Sequence, residues 1–122
     1  MTTLTLTIPA PCDWLNSNQR LHWAEKARRV KAWRERTIVA VFAGDTLPRF
    51  DVPVHITCTV HKTRGGRWDA GNLADTAKPI VDGLVSAGVL VDDSNEWVTG
   101  PDMRAGEKRD AACVVVDVRA VA

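Results

Sequence analysis

Alternating apolar and polar residues predict several β-strands along the chain. Leu4, Leu6 and Ile8 alternate with threonines, which predicts a half-buried strand that ends at Pro9. Residues 52–60 are β-branched and alternate, which predicts a second strand. The short apolar run at 89–91 predicts a third, and further strands are expected near 96–103 and at 112–119.

Helical spacing of apolar residues predicts two helices between these strands. The first covers residues 20–42, with Asn18 as its expected N-cap, and the second covers about 71–87. Gly88 is expected to end the second helix, while Pro79 predicts a kink or a later start. The order β-α-β-α-β-β-β fits one α/β (α+β) domain, with two main helices packed on a mixed sheet of about four to five strands.

Composition narrows the class of protein without naming a function. The 122 residues suffice for one domain, and the net charge is +1. The cysteines, three in number and without CxxC spacing, do not predict a zinc site or a disulfide framework and suit a reducing compartment. The N-terminus lacks signal-peptide features and no apolar run would span a bilayer. We therefore expect a cytoplasmic protein with no membrane partner and no small-molecule cofactor.

The near-neutral net charge conceals two regions of opposite sign. Residues 20–36 contain seven Lys or Arg against two Glu, whereas residues 69–96 contain six Asp or Glu against one Lys. The basic region predicts contacts with DNA phosphates, although a solvated charged face is an equally open explanation. The candidate DNA-binding residues are Arg20, Lys26, Arg28, Arg29, Lys31 and Arg34, followed by Lys62, Arg64 and Arg67 in the polar loop at 61–68.

The acidic region contains candidate ligands for a divalent cation. Asp69 precedes the second predicted helix, and Asp92-Asp93 follow the short strand after it, so the returning chain can bring these carboxylates together. Magnesium prefers such oxygen ligands and often uses only one or two carboxylates plus a substrate phosphate. Asp69 is also a good helix cap, and Asp92-Asp93 a good turn. Lys78 can stabilise phosphate charge, but from spacing alone a surface pair with Asp82 or Asp75 is the favoured explanation.

These residues form a pattern that resembles a known family. The stretch D-x-x-N-L, then K-x-x-x-D-G-L, then A-G-V-L-x-D-D resembles the core of the RusA-like Holliday-junction resolvases. The segment Asn16-Ser17-Asn18-Gln19-Arg20, followed by His22-Trp23 and a basic helix, is similar to the phage-type members. The resemblance extends over about residues 4–118, and its most specific part is the acidic block.

The resemblance implies a dimeric, magnesium-dependent endonuclease, for which manganese can substitute. Members of this family nick two opposed strands of a four-way DNA junction in recombination and repair, and they use three aspartates and a lysine. Carried over, the implied catalytic residues are Asp69, Asp92 or Asp93, and Lys78, with Asp93 preferred within its pair. Asp69, Asp92 and Asp93 are the implied metal ligands. A phage or prophage protein that acts in a bacterial cell is expected.

One departure from the family motif leaves the activity open. The second aspartate of the family's D-x-D-N motif falls on Gly71, which has no side-chain ligand, and Asp75 is the candidate replacement. The alternative function is therefore a junction-binding protein with weak or no cleavage. A domain unrelated to nucleic acids, with only surface charge, is a third hypothesis. For Trp23, a core or interface position is favoured over stacking on DNA.

Overall fold

Four strands, two α-helices and one short 3-10 helix account for the regular structure of residues 3–45 and 47–121, which are the residues that the computed structural model describes. The sheet has the order β1-β4-β2-β3, in which β2 and β3 run parallel and the other neighbours antiparallel. The predicted fold class is thus confirmed, with four strands in a mixed sheet. The elements are β1 (Thr3–Pro9), α1 (Trp23–Phe42), β2 (Val54–His61), α2 (Ala74–Ser86), β3 (Val98–Ala105) and β4 (Cys113–Ala120).

The start of α1 differs from the sequence-based prediction. The helix begins at Trp23 rather than at residue 20, and its N-cap is His22, whose Nδ1 accepts a hydrogen bond from the Ala24 amide at 3.2 Å. Asn18 was the wrong cap because its own amide donates to Asn16 Oδ1 at 2.8 Å. A local turn therefore uses these residues before the helix starts.

The predicted strand at 89–91 is wrong, because this segment belongs to a chain reversal. Gly88 adopts φ 85°, and its amide donates to the Val85 carbonyl, while the Val89 amide donates to Leu84. This pair of bonds is a Schellman motif, which a glycine in the left-handed region permits. Gly88 thus ends α2 as predicted, and the chain turns back with Val89 and Leu90 buried.

The beginning of α2 is also refined by the structure. A short 3-10 helix over Ala70–Leu73 precedes the α-helix, so the predicted start at residue 71 lies in 3-10 geometry. Pro79 is buried inside α2 without ending it. Among the described helices, none combines the length and apolarity needed to cross a bilayer.

Both helices cover one face of the sheet and share a single apolar core with it. Helix α1 buries Trp33, Thr37 and Val41, which recur at helical spacing, and the apolar face of α2 includes Ile80 and Leu84. The strands add mainly β-branched residues from their inner face. Burial raises the pKa of the Cys58 thiol in β2 to about 12, as expected for a thiol in an apolar interior.

Gly83 allows the two helices to touch. A Cβ at this position would lie 2.8 Å from the Arg34 carbonyl oxygen and 2.9 Å from Thr37 Cβ. No side chain fits there unless the backbones separate. The neighbouring Asp82 is consequently held close to α1.

We predict that Gly83→Ala destabilises the protein by about 1–3 kcal/mol, the usual cost of overpacking a core. In an ordinary helix interior the same change stabilises by about 0.5–1 kcal/mol, so the sign itself is diagnostic. Urea denaturation measures the free energy of unfolding. Gly65→Ala is the matched control, since a Cβ at residue 65 meets nothing within 4 Å. Equal stability of the two variants would contradict the close helix contact.

Candidate active site and nucleic-acid interface

A pocket of about 250 Å³ lies between α2 and the beginning of β3. Helix α2 contributes Ala74, Lys78 and Asp82, which recur every fourth residue and so lie along one helical stripe. The opposite wall consists of Asp93, Val98, Gly100 and Pro101. One ammonium group and two carboxylates therefore share a small pocket with an apolar lining.

The chain reversal after α2 brings Asp93 to this pocket. Burial of Val89 and Leu90, together with a hydrogen bond of 2.9 Å from the Phe50 amide to the Val89 carbonyl, fixes the returning segment. Asp93 then emerges beside α2, opposite Lys78 and Asp82. The sequence folds in this way because Val89 and Leu90, directly after the Gly88 cap, are apolar and become buried, whereas the polar residues that follow them stay at the surface.

Gly100 shapes the wall that β3 contributes to the pocket. It adopts φ 94°, and a Cβ there would lie 2.6 Å from the Ile56 carbonyl oxygen of the parallel strand β2. Only glycine suits both the backbone conformation and this close approach. The first residues of β3 can therefore pack tightly on β2 while they face Asp93.

The two pocket carboxylates, Asp82 and Asp93, are close enough to interact electrostatically. The pKa of Asp82 is raised above its ordinary value, mainly by burial and then by the hydrogen bond and negative charge of Asp93. The positive charges of Lys78 and Arg34 act in the opposite direction. A cation bound here would offset the repulsion between the two carboxylates.

The other predicted acidic ligands lie outside this pocket. Asp69 caps the 3-10 helix, where its Oδ1 accepts from the Gly71 amide at 2.9 Å. Asp92 Oδ1 accepts from the Asp93 amide at 2.8 Å. Asp75 lines a neighbouring pocket of about 270 Å³ with Lys26, Lys78 and Asp82. Within residues 3–45 and 47–121, no three His, Cys, Asp or Glu side chains form a ready-made metal site.

Several of the predicted DNA-binding cations have partners inside the protein. Arg29 is largely buried, and it donates to Glu25 at 2.9 Å and to the Trp14 carbonyl at 3.1 Å, so it anchors the loop before α1. Arg28 also pairs with Glu25, and Lys31 lies 3.9 Å from Glu35.

In the loop at 61–68, Lys62 also has a partner inside the protein. Lys62 Nζ lies 4.3 Å from the centroid of the Trp68 ring, a cation–π contact that joins the two ends of the loop. Arg64 and Arg67 between them are exposed.

Two predicted cations instead lie beside the pocket. Lys26 and Arg34 line a groove of about 520 Å³ along α1 that ends at Asp82. Arg20, just before the helix, is exposed as well. The pocket therefore adjoins a basic surface, which is the charge arrangement that a phosphodiester backbone requires.

Asp82 is the pocket residue that motif spacing did not identify as a site residue. On the sequence it is a helical partner of Lys78, four residues later, and such spacing is common in solvated ion pairs. The signal that identifies it is its neighbour Gly83, because a glycine inside a helix indicates close packing. That packing places Asp82 between two helices rather than in open solvent.

No protein-family model matches the chain, and no curated protein is significantly similar to it. The likeness to the resolvases thus rests on the motif residues quoted above. The geometry of the pocket is an independent observation, since it depends on the fold rather than on the motif.

We predict that Asp93→Asn lowers the pKa of the Asp82 carboxyl, measured by NMR titration, because the amide has no charge to repel it. The raised pKa means that ionised Asp82 is disfavoured in the folded state. Stability from this group is therefore present at low pH and is lost as the pH rises from the unfolded pKa through the folded one. Asp92→Asn is the control, since Asp92 does not line the pocket. An Asp82 pKa equal in all three proteins would show that the carboxyls are not neighbours.

Proposed function

We propose that the chain is a magnesium-dependent endodeoxyribonuclease that resolves four-way DNA junctions by paired nicks, acting as a homodimer. The observation that carries the proposal is the convergence of Lys78, Asp82 and Asp93 in one pocket. All three lie in the stretch that resembles the resolvases, and the resemblance implies a catalytic role for Lys78 and Asp93. The adjoining basic groove supplies the charge needed to hold a polyanion.

The donor set of the pocket fits magnesium. Asp82 and Asp93 both line the pocket and offer carboxylate oxygens there. Two carboxylates with substrate phosphate and water complete the kind of site that magnesium uses in phosphoryl chemistry. Manganese takes the same oxygen ligands and is expected to substitute. When bound, the metal supplies an activated water and stabilises the leaving oxygen.

The protein groups around that position have separable roles. Asp93 and Asp82 would hold the cation, the first from the reversed chain and the second from α2. Lys78, one turn before Asp82, places an ammonium group where a scissile phosphate would lie and offsets its negative charge. Val81 and Val98 add apolar surface beside these charged groups.

The dimer is part of the proposal because a junction presents two equivalent strands. A dimer with two-fold symmetry carries two matching pockets, which suits symmetric nicking. Asp69, implied by the motif, and Asp75, the candidate replacement at Gly71, stay predictions as further ligands, and each can be tested as its Asn variant. Asp92 is the less favoured member of its pair and serves as the control below.

A second candidate function is junction binding without efficient cutting. Gly71 in place of an aspartate favours it, and so does the lack of a preformed three-ligand cluster within the described residues. Magnesium or manganese titration on a synthetic four-way junction distinguishes the two. Binding without nicks at any metal concentration would exclude the nuclease and support the second candidate.

We predict that Asp93→Asn abolishes junction cleavage, because a pocket carboxylate is lost, while affinity for the junction is retained. Lys78→Ala should slow single-turnover cleavage by about 10²–10³-fold, the usual cost of removing a group that stabilises transition-state charge. Both side chains are exposed, so the fold should not suffer. Gel assays of cleavage and binding measure the two effects separately.

The matched control for Asp93 is its neighbour. Asp92→Asn removes the same charge from the same turn but lies outside the pocket, so it should keep most of the cleavage activity. If Asp92→Asn is inactive and Asp93→Asn is fully active, the assignment within the pair is wrong. If neither variant loses activity, the pocket is not the active site.

Gly71→Asp tests the ligand position that the motif implies beside Asp69, outside the pocket. We predict that this variant strengthens metal binding and speeds cleavage, because it restores the motif's second carboxylate. A Cβ at residue 71 would lie 3.2 Å from Asp69 Oδ1, which accepts from the Gly71 amide, so the exposed Asp69 carboxylate must shift by a few tenths of an ångström. Gly71→Asn is the control, with the same shape and no charge. The readout is the metal concentration that gives half-maximal cleavage. An equal change in both variants would contradict a metal-ligand role for Asp69 and position 71.

A further inference from the structure

The groove along α1 begins at an indole ring that faces solvent. Trp23 is 77% exposed, so it is not a core residue, while the alternative of an interface position stays a prediction. It lines the same groove as Lys26, Ala27, Val30 and Arg34. The His22 ring lies 5.5 Å from the indole, centroid to centroid, and its position is fixed by the cap hydrogen bond to the Ala24 amide. The indole thus lies beside a fixed imidazole ring, and most of its surface is exposed to solvent.

The chemistry of the groove matches an unpaired nucleotide strand. An apolar floor at Ala27 and Val30 lies between basic side chains, Lys26 and Arg34 among them. Single-stranded nucleic acids bind where a cationic groove follows the backbone and an aromatic ring stacks a base. Trp23 and Arg34 are separated by roughly 16 Å along the helix axis, at about 1.5 Å per residue. That length accommodates several nucleotides.

We propose that this groove binds an unpaired DNA strand, with one base stacked on Trp23 and its phosphates against Lys26 and Arg34. The inference rests on the proposed function and deepens it, because the groove ends at Asp82, beside the cleavage pocket. A strand that leaves an opened junction centre would run from the indole towards Lys78 and Asp93.

Charge argues against a second copy of the chain as the occupant. Two-fold pairing through this groove would face Lys26, Lys31 and Arg34 with their own symmetry mates. Like charges at such short range are destabilising in the absence of counter-charges, and Asp82 is the one acidic residue that lines the groove. A DNA strand supplies the negative charge directly.

The test measures binding of a short fluorescein-labelled oligothymidylate by fluorescence anisotropy in EDTA, so that cleavage plays no part. Trp23→Ala should weaken binding about 5- to 100-fold, the range for loss of one base–aromatic stack. Trp23→Phe should keep most of the affinity, since a phenyl ring also stacks. Phe42→Ala is the matched control, because Phe42 is another exposed aromatic residue of α1, 61% accessible, at the far end of the helix.

Two results would overturn the inference. The first is equal affinity of the wild-type protein, Trp23→Ala and Phe42→Ala for the oligothymidylate. The second is a molar mass in light scattering that falls to the monomer in Trp23→Ala, which would assign the indole to an interface between copies. Failure of junction cleavage leaves this binding result intact, so the two proposals fail separately.

Discussion

The contact between α1 and α2 at Gly83 is the constraint on which the rest of the structure depends. The absence of a side chain lets the Arg34 carbonyl approach the α2 backbone, so the two helices form one layer over the sheet. This contact also fixes the position of Asp82, which lies between the two helices beside Arg34 and Lys78. Its raised pKa is the electrostatic consequence, because burial and the charge of Asp93 both disfavour ionisation.

The fold was predictable from the sequence where local patterns decide it. Strands were expected near all four observed ones, with alternation as the signal for β1 and β2, and helical spacing with the glycine cap identified α2 and its end at Gly88. The segment 89–91 was mistaken for a strand because a short buried run looks alike in a sheet and in a turn. Only the hydrogen bonds of the Schellman motif distinguish them, and these depend on φ at Gly88 rather than on apolarity.

The candidate site was predictable only in part. The motif identified Lys78 and Asp93, which share the pocket, but it also singled out Asp69, which caps the 3-10 helix instead. Asp82 and Trp23 required the structure, since burial between helices and exposure of an aromatic ring are tertiary properties. Arg29 illustrates the converse: on the sequence it is one more cation of a basic helix, yet it is buried against Glu25 and the Trp14 carbonyl.

The proposed function requires a divalent cation to bind in the pocket between α2 and the reversed chain. Paramagnetic broadening of amide NMR signals during a manganese titration tests it directly, because the effect falls steeply with distance from the ion. We expect the amides of Lys78, Asp82 and Asp93 to broaden first. Broadening centred on another part of the surface, or no selective broadening at all, would contradict a cation site in the pocket.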